Sequence, residues 1–107
     1  MNKDKILKKE QEFTSIIKSN QSKKNLYFSI YYIKSEKNLY GITIPKKYGK
    51  AHDRNKIKRQ IKNIIIKNEE NIPKNFNYVI IIKEATKKLN YNSLEFELIN
   101  LIKKVRD

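Results

Sequence analysis

Residues 76–82, FNYVIII, form a nearly unbroken apolar run in a chain where 34% of residues are charged. A run so short, rich in β-branched and aromatic types, reads as a β-strand covered on both faces, which makes it the central strand of a sheet. Two earlier segments supply its neighbours: 26–33, LYFSIYYI, and 39–45, LYGITIP. The polar connection Lys34–Asn38 has a length suited to a hairpin, so these two strands are expected to pair antiparallel. Alternation places Phe28 with Tyr32 on one face of the first strand and Tyr27 with Tyr31 on the other. In the second, Tyr40, Ile42 and Ile44 oppose Leu39, Gly41 and Thr43, and Pro45 cannot extend the ladder as a donor.

Helical periodicity fills the remainder. Phe13, Ile16 and Ile17 mark a short amphipathic helix over 9–19, preceded by an irregular start in which Ile6 and Leu7 tuck under the body. From about Ala51 to Asn68, the residues Ile57, Ile61, Ile64 and Ile65 fall within an arc of roughly 100° at helical spacing, a stripe that must be buried. Ile66 interrupts the opposite, polar face. Pro73 marks a loop. A last helix over about 91–105, capped by Asn90, carries Leu94, Leu98, Leu101, Ile102 and Val105 on one stripe. The order αββαβα indicates an α+β fold: a two-layer sandwich with helices packed on a central mixed sheet. At 107 residues, with two Gly, two Pro and no linker-like segment, 1–107 reads as a single domain. Without cysteine, disulfides cannot contribute, so hydrophobic burial must stabilise the fold.

Charge points to the partner. Lys and Arg number 25 against 11 acidic residues, a net +14 that attracts polyanions and opposes self-association. The segment Lys46–Lys62, KKYGKAHDRNKIKRQIK, holds eight of these cations against one Asp, and two of the chain's three arginines. Arg54 and Arg59 offer rigid forks of donors suited to phosphate or base edges. On the helical wheel Asn55, Arg59 and Lys62 lie opposite the isoleucines, flanked by Lys56 and Lys58. Lys46, Lys47 and Lys50 lie in the Gly-containing turn just before the helix, whose first amides are free to meet an anionic oxygen. Asn55 suits a base edge or a 2′-hydroxyl, although an Asn in a first turn can equally serve as a local cap. A charged helix face alone is most often simply solvated. Here the turn, the helix start and the helix face form one continuous surface, which favours nucleic acid over that bland reading. Most of the seven Tyr and four Phe must be core. If the long helices cover one side of the sheet, however, the other side can present Tyr31 beside Phe13 and Ile17 as a stacking platform for unpaired bases.

Other chemistries lack their parts. His52 is the sole histidine and there is no Cys, so no protein-held zinc site is expected. The carboxylates are dispersed, and neither a Ser-His-Asp set nor a Gly-rich nucleotide loop is present. No apolar run is long enough to span a bilayer, and Met1–Lys9 lacks the apolar stretch of a signal peptide, so a cytoplasmic location is expected.

The stretch GITIPKKYGKAHDRNKIKRQIK resembles the signature of the bacterial ribonuclease P protein subunit, through Gly41, Lys46, Lys47, Gly49, Ala51, Arg54, Asn55, Lys58 and Arg59. The opening LKKEQEF, Tyr31, the strand end Tyr78–Lys83 and the Leu89–Leu98 segment extend the similarity across nearly the whole chain. Lys56, Lys62 and Lys83 stand where the family usually has Arg, which keeps charge but not the bidentate fork. Ile17 stands where an aromatic is frequent, and Pro45 replaces a common Ser. The resemblance implies a ribosomal protein S5 domain 2-like fold with a left-handed crossover through the basic helix, an exception to the usual hand. It implies a non-catalytic subunit of an endoribonuclease, whose large RNA holds the Mg²⁺ ions and removes the 5′ leader of precursor tRNA. It also implies that Arg54, Asn55, Lys56, Lys58, Arg59 and Lys62 contact ribonuclease P RNA, a surface that the turn cations Lys46, Lys47 and Lys50 extend, while Phe13, Ile17 and Tyr31 line a cleft for the single-stranded leader. A ribosomal or general single-stranded RNA-binding protein with no catalytic complex is the alternative.

Overall fold

A computed structural model describes residues 10–106; the Ile6 and Leu7 contacts and the start of the LKKEQEF segment lie outside the described residues. The chain forms α1 (Glu10–Lys18), β1 (Ser22–Lys24), β2 (Phe28–Lys34), β3 (Leu39–Thr43), α2 (Ala51–Lys67), β4 (Phe76–Ile82) and α3 (Tyr91–Ile102). Short 3₁₀ turns at Lys46–Tyr48, Glu69–Asn71 and Glu84–Lys88 flank α2 and precede α3. The strands order as β1-β2-β4-β3 in one mixed sheet.

FNYVIII is central, as its apolar character requires: β4 pairs antiparallel with β2, Tyr31 opposite Val79, and parallel with β3, Gly41 opposite Val79. The expected β2–β3 hairpin is therefore not formed. β4 enters between the two strands, and the polar connection straddles its start. There Ser35 N–H donates to the Asn75 carbonyl at 2.9 Å. Asn38 accepts from Phe76 N–H at 3.1 Å and donates through Nδ2 to the Pro73 carbonyl at 3.1 Å. Loop length permitted a hairpin, but placing the strand that is apolar on both faces at an edge would have left its backbone and side chains unburied. With β2 antiparallel and β3 parallel to β4, α2 becomes the crossover joining β3 to β4.

β1 extends the expected element order by one strand. Its residues are polar, since an edge strand is held by backbone pairing, here Ser22 opposite Tyr31 and Lys24 opposite Ser29, rather than by burial. Leu26, expected in the first strand, instead sits exposed in the turn before it, where Asn25 Oδ1 accepts from the amides of Tyr27 and Phe28, both at 2.8 Å. Tyr27 thereby departs from the strand alternation and packs against the helix-covered face.

Helices α2 and α3 cover one face of the sheet. Their isoleucine and leucine stripes, Ile57, Ile61, Ile64, Ile65, Leu94, Leu98, Leu101 and Ile102, are all buried against Phe28, Ile30, Tyr32, Tyr40, Tyr78, Ile80 and Ile82. Tyr40 and Tyr78 stack within this core, ring centroids 5.5 Å apart and nearly parallel. Asn90 Oδ1 caps α3 by accepting from Ser93 N–H at 2.8 Å; the helix ends at Ile102, and Val105 remains buried beyond it. On the opposite face lies α1, with Ile16 and Val79 at the centre of a smaller cluster. Gly41 lies beneath the Phe13 ring, and a Cβ built there would come within 2.6 Å of Cζ. The missing side chain is what lets α1 approach the sheet.

Candidate nucleic-acid interface

The basic helix is amphipathic in the sense its sequence demands. Asn55, Lys56, Lys58 and Arg59 are exposed and Lys62 is half-buried, while Lys46, Lys47 and Lys50 are exposed just before α2. Among the described residues no side chain caps the α2 start at Lys50, which leaves its first amides to an anionic oxygen. None of these cations is paired with a carboxylate among the described residues. Asp53, the one acid in the segment, faces His52 Nδ1 at 3.5 Å. Ile66 stays exposed on this face, and nothing in the structure explains it.

Arg54 differs from the other cations. It precedes Ile57, Ile61 and Ile65 by 3, 7 and 11 residues, which swings it toward the buried stripe. It is half-buried, its Nε fully buried without a hydrogen-bond partner among the described residues. The guanidinium lines a groove of about 430 Å³ between α2 and edge strand β3, together with Thr43, Asn55 and Lys58. Lys56 belongs to the other flank of α2, at a cleft of about 540 Å³ facing the 84–88 turn and the start of α3. By helical position Arg59 lies between the two flanks, and Lys62, four residues beyond Lys58, continues the flank that faces β3.

The second candidate surface is on the α1 face. Phe13 and Tyr31 are half-buried around Ile16 and Val79. Ile17, one turn along from Phe13, is 37% exposed. Phe28 and Tyr32 are buried in the helix-covered core, so Tyr31 is the strand tyrosine available to this surface. Lys24 Nζ stands 5.3 Å from the Tyr31 ring centroid, a cation–π contact created by the β1–β2 register. Sequence reading did not single out Lys24, because three polar residues do not announce a strand. Lys83, at the end of β4, donates from Nζ to the Asn25 carbonyl at 2.7 Å and so ties down the turn that leads into β2.

Among the described residues no group of three or more His, Cys, Asp or Glu is placed to hold a metal ion, and no helix is long and apolar enough to cross a membrane. The hydroxyls of Tyr40 and Tyr78 titrate above the usual phenol range, chiefly through burial; both belong to the core and not to either surface.

A mixed sheet whose parallel crossover is a helix with Lys56, Lys58, Arg59 and Lys62 unpaired with any carboxylate among the described residues defines the class: a small α+β RNA-binding protein. The family model for ribonuclease P matches residues 1–106. The chain is 42% identical over 93 residues to a ribonuclease P protein component of Phytoplasma australiense, covering 84% of this chain and 81% of that protein. It is 37% identical over 109 residues to the one from Mycoplasma mycoides, covering 99% and 100%. The ribonuclease P protein of Thermotoga maritima superposes with a TM-score of 0.88 at 30% identity, over 94% of this chain and 97% of that one. The Staphylococcus aureus ribonuclease P protein does so at 0.85 and 26% identity, over 92% and 93%. The chain belongs to the ribonuclease P protein family.

Proposed function

We propose that the chain, as the non-catalytic protein subunit of the ribonuclease P ribonucleoprotein in tRNA 5′ processing, works through two separate surfaces. Lys46, Lys47, Lys50, Arg54, Asn55, Lys56, Lys58, Arg59 and Lys62 bind the catalytic RNA. Phe13, Ile17 and Tyr31 receive the single-stranded 5′ leader of precursor tRNA. The protein contributes placement and charge neutralisation, while the Mg²⁺ ions for hydrolysis are held by the RNA subunit. The observation that carries this reading is the exposed cationic face of α2, free of acidic partners among the described residues and anchored by four buried isoleucines. A cation without an internal partner retains its charge for a phosphate, and an anchored helix presents it without a large ordering cost. The half-exposed aromatic platform on the opposite side of the sheet suits unpaired bases, which stack without sequence demands.

Reconstitution tests the reading. Adding the chain to a bacterial ribonuclease P RNA and precursor tRNA at low Mg²⁺ is expected to accelerate leader removal. An unchanged rate would refute it, and cleavage by a rigorously RNA-free preparation would show instead a protein nuclease.

A further inference from the structure

The geometry points to a further nucleotide site: the cleft between α2, the 84–88 turn and the start of α3 receives one unpaired nucleotide of the catalytic RNA. The inference rests on the reading that α2 lies on that RNA, and it extends the contact to a part of the protein outside the basic segment. Lys56 belongs to both places. It is exposed on the cationic face of α2 and also forms one wall of the cleft, so an RNA backbone that follows the helix passes the cleft mouth.

The opposite wall supplies a second cation. Lys87 Nζ sits 5.0 Å from the Tyr48 ring centroid, and that ring is fixed, because it is buried and its hydroxyl hydrogen-bonds Thr86 Oγ1 at 2.9 Å. The cation–π contact thus holds Lys87 at the cleft in advance of any ligand. Neither Lys56 nor Lys87 has a carboxylate partner among the described residues. The lining is mostly polar, and Leu89 and Tyr91, both half-buried, add an apolar and aromatic patch to it. Gln60 adds an amide, and Asp53 adds an acceptor that repels phosphate but suits the N–H groups of a base.

Two cations for a phosphate, an apolar and aromatic surface for a ring, and acceptors for base N–H groups describe one nucleotide. The volume, about 540 Å³, falls in the range of small-ligand clefts. A base within a duplex has its hydrogen-bonding edge paired and its faces stacked, so the occupant is an unpaired residue.

Absence of native cysteine permits a direct test, since Lys88→Cys, exposed beside the cleft, gives a single attachment point for an iron chelate. With the full ribonuclease P RNA bound, hydroxyl-radical cuts are expected within a few nucleotides of one unpaired residue. That residue's 2′-hydroxyl should be protected from acylation in the wild-type complex and exposed again with Lys87→Met. Lys87→Met should also weaken RNA binding by about tenfold, as expected for a lost charge-assisted contact, with an unchanged melting temperature. Arg59→Ala is the control for the underlying reading. If Arg59→Ala weakens binding while the chelate gives no cuts and Lys87→Met binds normally, the cleft assignment is wrong and the α2 interface stands. If Arg59→Ala also binds normally, the interface itself is wrong. Cuts confined to duplex, or found in precursor tRNA only, would equally overturn the assignment.

Discussion

Gly41→Ala is the substitution whose effect the structure sets most narrowly. The added Cβ would lie 2.6 Å from Phe13 Cζ and 3.0 Å from each Cε, whereas carbon atoms in contact rest at about 3.5–4.0 Å. The ring must therefore shift by about 1 Å within the small cluster that it shares with Ile16 and Val79, disturbing the packing of α1 on that face. Overpacking of this kind costs roughly 1–3 kcal/mol. In a domain of this size each kcal/mol lowers the melting temperature by about 4–8 °C. Because α1 lies on the face away from α2, the loss should appear in leader affinity and leave binding to the catalytic RNA intact. Thermal denaturation, together with fluorescence anisotropy on a labelled single-stranded leader and on the RNA subunit, separates these effects. Phe13→Leu in the same chain should recover part of the stability, giving a coupling term between neighbours. A Gly41→Ala variant with wild-type melting temperature and leader affinity would refute the argument, because it would mean that the Phe13 ring does not rest on Gly41.

Three further outcomes follow from other parts of the fold. Arg59→Ala should lower the slope of log affinity for the catalytic RNA against log salt by roughly 0.7–0.9 per lost phosphate contact; an unaltered slope would remove Arg59 from the interface. Tyr31→Ala should weaken leader binding by roughly 1–3 kcal/mol if a base stacks on the ring, with catalytic-RNA affinity unchanged, and equal loss for both ligands would identify a folding defect instead. Burial, then the neighbouring Tyr40 and Tyr32, keep the Tyr78 hydroxyl protonated above the normal phenol range. Its contribution to stability is therefore complete below the unfolded value of about 10 and is lost as pH rises beyond it. Wild type should lose stability above that pH more steeply than Tyr78→Phe, and parallel denaturation curves would contradict the assignment.

The sequence made legible those parts of the fold that rest on local periodicity. The α2 stripe, the Asn90 cap and the doubly covered β4 all lie where spacing and composition place them. Strand pairing was less accessible, because the partner of β2 is decided by the apolar demand of β4 more than forty residues away and not by the short connection after Lys34. β1 escaped notice for a related reason: its stability comes from backbone pairing at an edge, which leaves no pattern in Ser22–Lys24. The cationic face was legible because periodicity alone separates it from the isoleucines. The half-burial of Arg54, the position of Lys24 over Tyr31 and the pairing of Lys56 with Lys87 across a cleft were not, since each depends on contacts between separate elements.

The segment that carries the cations is also the link between the two parallel strands, with its isoleucines inside the main core. In the proposed complex, phosphate ligation at one side of that rod is therefore coupled to the integrity of the whole molecule. A subunit of net charge +14 folds against its own repulsion, which an RNA backbone relieves. Assembly should raise the unfolding free energy by mass action, so the apoprotein is expected to melt earlier and to gain more from added salt than the assembled particle.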